Sequence, residues 1–553
     1  MIPSVISTQV RQGIEDFLRT TYPPAEPFFG EVLEALIAEQ NALFKGPYVT
    51  LKLPFRPGKK SSGPFPDIPM KFAPYRHQEL AYERLAGDAP QSTLIATGTG
   101  SGKTECFLYP LLDYCFRHRG EPGVKAIIIY PMNALATDQA RRFAKEIHAN
   151  SSLRGNVTAG LFIGGLEKGE GQKTMSDDMV VTDADSIRTY PPDILMTNYK
   201  MLDYLLLRPR DYKLWQGNRP DTLKFVVIDE LHTFDGAQGT DLACLLRRLL
   251  DRLKTPRKDA CFIGTSATLG DGDDAVGHLL DFTGELFGTP LDKSAIIRED
   301  LLKPGEFLGD NTLIKYHQSP DIAKMDRLLP TNFGAVDDYV RTQCGLWFNG
   351  WMPEGKLDDP FAIELGDRLR EHLFFQNFIR LLNGATLDFP GIMAQLDRFH
   401  SGFSTQPTEY RTAMVDSILS LVAVARSEVV RNDGAESVQP FLQLRTQLWL
   451  KELRRMVVSV EPKPRLRFSD DLLPEEGVEH LPLLHCRSCG RMGWLSTKPE
   501  SEHRFSSSLE KIYSAFFGNS PTVHYIFHEN RANPMPGRQL ETGETLCGKC
   551  LAL

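Results

Sequence analysis

Residues 92–104 read Ser-Thr-Leu-Ile-Ala-Thr-Gly-Thr-Gly-Ser-Gly-Lys-Thr: a short apolar run, then alternating glycines, then a Gly-Lys-Thr ending. The run 92–96 has the length and β-branched content of a strand, and a helical pattern follows in Thr-Glu-Cys-Phe-Leu-Tyr-Pro-Leu-Leu. A strand that passes through a glycine-rich loop into a helix is the setting a phosphate loop requires. Gly98, Gly100 and Gly102 let the backbone curl until successive N–H groups face one anion, and the helix N-terminus adds partial positive charge. The expected cradle is Thr97, Gly98, Thr99, Gly100, Ser101, Gly102, Lys103 and Thr104. Lys103 is suited to the β- and γ-phosphates of ATP, and the Thr104 hydroxyl to Mg²⁺. The rival reading is a glycine-rich turn without a nucleotide, which leaves the Gly-Lys-Thr ending unexplained.

Outward from this loop the texture is uniform. Apolar, β-branched runs recur at 124–130, 192–197, 223–229 and 260–265, separated by helical segments. Continuous apolar strands alternating with helices predict an α/β fold, a parallel sheet covered by helices on both faces, over 71–285. Residues 1–70 read as helices and a Pro/Gly-rich linker, 286–465 as a mostly helical domain, and 466–553 as a small cysteine-rich region.

The run 223–228 ends in Asp229-Glu230-Leu231-His232. Two adjacent carboxylates at a strand's end, in the same sheet as a phosphate loop, divide the labour. Asp229 is the candidate Mg²⁺ ligand and Glu230 the group that orients and deprotonates the attacking water. Alone, an Asp-Glu pair at a strand end is an ordinary solvated loop; its place downstream of Lys103 reverses that ranking.

With those residues in hand, the chain resembles a superfamily-two helicase of the DExH kind, in its first RecA-like lobe. Tyr75-Arg76-His77-Gln78 resembles the upstream element whose glutamine reads adenine, which assigns Gln78 to the base. Tyr130-Pro131-Met132-Asn133-Ala134-Leu135, with Asp138-Gln139, resembles the nucleic-acid motif usually written P-T-x-A-L. Thr197-Asn198-Tyr199 resembles the next strand-gripping motif. The resemblance therefore implies nucleic-acid contacts at Pro131, Asn133, Thr197 and Asn198. Ser266-Ala267-Thr268 resembles the element coupling hydrolysis to movement, and His232 would link it to the nucleotide. A helix cap remains the competing role for Thr197 and Ser266.

The segments 369–382 (LREHLFFQNFIRLL), 441–457 (FLQLRTQLWLKELRRMV) and 481–495 (LPLLHCRSCGRMGWL) resemble parts of large bacterial helicases with a C-terminal cysteine-bearing domain of unknown function, including antiphage-defence helicases of the DISARM and Druantia type. Cys486-x-x-Cys489 and Cys547-x-x-Cys550 have the ligand count and local spacing of a structural Zn²⁺ site. Free thiols, or pairing with cysteines elsewhere, are the alternative.

The formal charge of −8 excludes binding nucleic acid by bulk positive charge but not a local grip on phosphates. No run of eighteen apolar residues and no signal-like start occur, so a cytoplasmic protein without membrane contact is expected. The sequence contains no Q-x-x-G-R-x-G-R motif, the source of an arginine finger in this family. The expectation is thus an ATP-dependent helicase or translocase, acting on DNA, whose second motor lobe comes from a missing portion or a partner. A nucleotide-regulated scaffold and an RNA helicase are the rivals.

Overall fold

The computed structural model describes residues 2–528 apart from 26, 40–41, 60–63, 71, 99, 165–170, 268–272, 310–312, 399–401, 431–433 and 473–477. Thr99, Thr268, Cys547 and Cys550 lie outside the described residues. The chain divides into two compact units, one of Leu53–Phe307 with Glu428–Gln439, the other of Met1–Lys52, Leu308–Ser427 and Pro440–Leu553.

The first unit is built on seven parallel strands. They are β1 (Thr93–Ala96), β2 (Ala126–Tyr130), β3 (Ala159–Phe162), β4 (Ile194–Asn198), β5 (Phe225–Ile228), β6 (Cys261–Ser266) and β7 (Ile296–Arg298). Their order across the sheet is β3-β4-β2-β5-β6-β1-β7. Both faces are apolar because both are covered. Ile128, Tyr130, Met196, Val227 and Ile263 pack with Leu85, Phe107, Leu111 and Phe143 of one helical layer. Ile127, Ile129, Leu195, Val226 and Phe262 pack with Leu202, Leu242, Leu246 and Leu249 of the other. Each strand residue alternates between the two layers, which is why the strands read as unbroken apolar runs. This is the RecA-like arrangement expected from the sequence.

β7 lies beyond the last run recognised in the sequence. It pairs with β1 and extends the sheet past the phosphate loop.

The second unit is helical and antiparallel rather than helical alone. Helix Thr408–Val424 is buried over most of its length from Tyr410 to Val422, with Val415, Ile418, Leu419 and Leu421 wholly buried and Asp416, Ser417 and Ser420 buried beside them, so it runs through the middle of that unit. The stretch 438–457, which reads as helical, instead contains strands Gln443–Leu450 and Met456–Ser459. Its Leu, Gln, Arg and Lys content favours helix locally, but pairing with strand Phe44–Lys52 decides otherwise. That same strand corrects the reading of 1–70 as helices and linker: Phe44–Lys52 is the centre of a sheet, flanked by Gln443–Leu450 and Thr386–Asp388. Its Gly46-Pro47 pair reads as a turn, and the ladder skips there between Lys45 and Tyr48. A five-stranded antiparallel sheet, Leu466–Phe468, Met456–Ser459, His480–His485, Met492–Thr497 and Val523–Ile526 in spatial order, completes the unit.

Candidate nucleotide and nucleic-acid site

Every strand of a parallel sheet presents its carboxyl end on the same edge, and ligands of open α/β sheets bind there. Here β1 ends at Ala96, β5 at Ile228 and β6 at Ser266, so the glycine loop, the Asp229-Glu230 pair and Ser266 emerge together.

The loop feeds helix Lys103–Arg117. Gly100 and Gly102 both have left-handed backbones, φ 81° and 76°. At Gly102 a side chain would also collide with the Gln78 amide, so both conformation and space demand glycine. Lys103 Nζ stands 3.1 Å from Glu230 Oε1, in a partly buried ion pair that joins the loop to the carboxylates. The Thr104 hydroxyl donates to Gln139 Oε1 at 3.2 Å.

The carboxylates are set by one hydroxyl. Thr265, without exposed surface, donates to Asp229 Oδ1 and accepts the Glu230 N–H at 3.1 Å. Glu230 adopts a left-handed backbone, φ 51°, unusual for a residue with a side chain. Burial raises the Asp229 carboxyl above its ordinary range, against the pull of the Thr265 hydrogen bond. His232 Nδ1 lies 3.4 Å from Glu230 Oε2 and 3.5 Å from Ser266 Oγ, so it stands between the acidic pair and Ser266. Ala267, next along, is exposed.

The loop is also held from behind. His77, fully buried, contacts the Ser101 carbonyl through Nε2 at 2.8 Å, and burial lowers its pKa. Gln78 accepts the Tyr75 N–H at 2.9 Å and donates to the Gly102 carbonyl at 3.3 Å. The glutamine assigned to adenine is therefore also a strut under the loop. Thr97 and Ser101 hydroxyls share a 2.7 Å hydrogen bond.

On the neighbouring strand ends, Asn198 Nδ2 donates to Asn133 Oδ1 at 2.7 Å, which brings two of the expected nucleic-acid contacts together beside Pro131. Asn198 also caps the next helix through the Met201 N–H. Thr197 departs from expectation: it has no exposed surface, and its hydroxyl donates to the Phe162 carbonyl at 2.7 Å. Its hydroxyl ties β4 to β3.

The Cys486-x-x-Cys489 pair closes a tight turn after strand His480–His485, with Gly490 N–H donating to the Cys486 carbonyl at 2.8 Å. Both thiols are exposed. Backbone N–H groups of Cys489 and Ser488 turned toward the Cys486 sulfur lower its pKa. Among the described residues no set of three or more His, Cys, Asp and Glu is placed to hold a metal. The nearby His485, His524 and His528 sit in ring contacts with Tyr22, Phe505 and Phe28.

A RecA-like sheet carries this loop, this carboxylate pair and Ser266 together at one edge. Residues 75–275 match the family model of the DEAD/DEAH box helicases. The chain is 26% identical to the Druantia protein DruE of Escherichia coli over 371 residues, covering 45% of this chain and 20% of that protein. It is 28% identical to the uncharacterized ATP-dependent helicase MJ1574 of Methanocaldococcus jannaschii over 225 residues, 39% of this chain and 30% of that one. The chain thus spans only a fifth to a third of the length of these relatives. A crystal structure of the DUF1998 helicase MrfA bound to DNA and AMPPNP aligns with 56% of this chain and 38% of its own, at 20% identity and TM-score 0.34.

Residue Glu299 escaped the sequence reading. Its carboxylate accepts the Gly98 N–H at 2.9 Å. The signal was there in Ala-Ile-Ile-Arg-Glu-Asp, a β-branched run ending in acid.

Proposed function

We propose that this chain is the ATP-binding portion of a nucleic-acid helicase or translocase that works on DNA. The observation that carries the reading is the 3.1 Å approach of Lys103 to Glu230, which puts the anion cradle and the acidic pair in one site. Lys103 and the loop amides would bind the phosphates, with Thr104 and Asp229 holding Mg²⁺. Glu230 would orient the attacking water, and His232 would relay the state of the site to Ser266. The asparagine pair Asn133–Asn198 would meet the nucleic-acid backbone. The arginine finger, worth several orders of magnitude in rate, would come from a second lobe outside these residues. Similarity to the Druantia protein supports a role in antiphage defence. The turn at Cys486 and Cys489, with thiols exposed and one activated, supports a structural Zn²⁺ shared with Cys547 and Cys550.

The test is ATP binding and hydrolysis by the chain with and without single-stranded DNA or RNA. The expected result is Mg²⁺-dependent ATP binding, slow turnover, and stimulation by DNA over RNA once the second lobe is supplied. Binding with no response to either polymer would favour a nucleotide-regulated scaffold. Stimulation by RNA alone would make it an RNA helicase.

A further inference from the structure

β7 places a fixed carboxylate against the phosphate loop. It runs parallel to β1 with Ala96 opposite Arg298, so the residues that leave the two strands, Thr97 and Glu299, emerge side by side. Glu299 Oε2 then meets the Gly98 N–H at 2.9 Å. Glu299 lies beyond the residues that match the helicase family model. The chain around it is braced. Arg56 donates to the Asp300 carboxylate at 2.9 Å and to Glu306 at 2.7 Å, while the Arg56 and Leu302 N–H groups bond to the Asp300 and Pro54 carbonyls.

We propose that Glu299 is a positioning residue for the phosphate loop, a role that rests on the nucleotide-binding reading of that loop. A segment with three alternating glycines has many conformations, and binding an anion must select one. Three contacts narrow that choice before the nucleotide arrives: His77 holds the Ser101 carbonyl, Gln78 the Gly102 carbonyl, and Glu299 the Gly98 N–H. Glu299 fixes the entry of the loop, and the amides from Gly100 onward remain for the phosphates. A carboxylate so close to a triphosphate also repels it. Its net effect on affinity is favourable only if anchoring outweighs repulsion, and this gives the proposal a sign. The opposite sign belongs to a carboxylate that merely fills the cradle and must be displaced.

The experiment titrates fluorescent ADP and ATP, with Mg²⁺, into the full chain carrying E299A, E299Q or E299D. A hydrogen bond to a charged group supports roughly a tenfold weakening in E299A. E299Q keeps an acceptor for Gly98 and should recover to within about threefold of the parent, as a rescue that general loosening would not give. Unfolding temperatures should stay near the parent's. Should E299A fail to fold, E299D, one methylene too short, is expected to bind at least about threefold more weakly. Unchanged or tighter binding in E299A overturns the positioning role. No nucleotide binding by the parent chain, with K103A as its control, would instead overturn the reading of the loop itself.

Discussion

Thr265 is the residue through which the acidic pair is most open to a clean test. Its single hydroxyl donates to Asp229 and accepts from the Glu230 N–H, and it has no exposed surface. Thr265→Val keeps the shape and removes both hydrogen bonds. A hydrogen bond to a charged group is worth about 1.5–3 kcal/mol and favours the ionised form, so its loss raises the Asp229 carboxyl further. Burial already holds that carboxyl above its ordinary value, so its folded form takes up a proton at a higher pH than the unfolded chain does. A carboxylate that holds Mg²⁺, the role proposed for Asp229, must be ionised. Mg²⁺·ATP binding should therefore fall as pH drops through the raised pKa, and T265V should move that fall to higher pH. At a fixed, mildly acidic pH the variant should bind Mg²⁺·ATP about tenfold more weakly, with a much smaller change when Mg²⁺ is chelated. Unfolding should drop by roughly 2–4 °C per kcal/mol lost, and T265S, which restores the hydroxyl, should recover both properties. A T265V protein with the parent's pH profile and Mg²⁺ dependence would refute the account of how the carboxylates are oriented.

Three further outcomes can be measured directly. Lys125, 1% exposed, binds the Asp193 carboxylate at 2.5 Å and the Glu121 carbonyl at 2.8 Å, so K125A strands a charge beneath the sheet. It should cost about 3–5 kcal/mol in urea unfolding, and a cost under about 1 kcal/mol would show the pair to be idle. Burial pushes the Asp416 carboxyl up to about 6, above the unfolded value, so the folded unit binds this proton more tightly. Its contribution to stability is full below the unfolded pKa and is lost as pH rises from about 4 to about 6, a change of about 3 kcal/mol. D416N should flatten that slope in urea midpoints, and an unaltered slope would assign it to other groups. Elemental analysis should find one zinc per chain, lost in C486S; a metal-free chain would leave the two cysteine pairs as ordinary thiols.

How much of this was legible depended on how local the cause was. The loop at 97–104 and the carboxylates at 229–230 could be read because strand, turn and helix signals lie within a few residues of the chemistry they serve. The order of the strands could not, since Ile127 and Ile263 look alike in sequence whichever neighbours they take. Nor could strand Phe44–Lys52 find its partner: Gly46-Pro47 reads as a turn, and the residues that overrule it lie at Gln443–Leu450. The same limit hid the second job of Gln78 and the burial of Thr197, because a motif gives a residue's type and spacing but not the carbonyl it meets. Glu299 shows what would extend the reading. In a parallel sheet the residue after one strand's end stands beside the residue after its neighbour's, so once β7 is paired with β1 the acid following Arg298 must come out next to the phosphate loop. Such a residue lies some 200 positions downstream of the loop, and only its register connects the two. A search of nucleotide-binding sheets for charged groups just past the strand beside the phosphate loop would thus find contacts that motif spacing passes over.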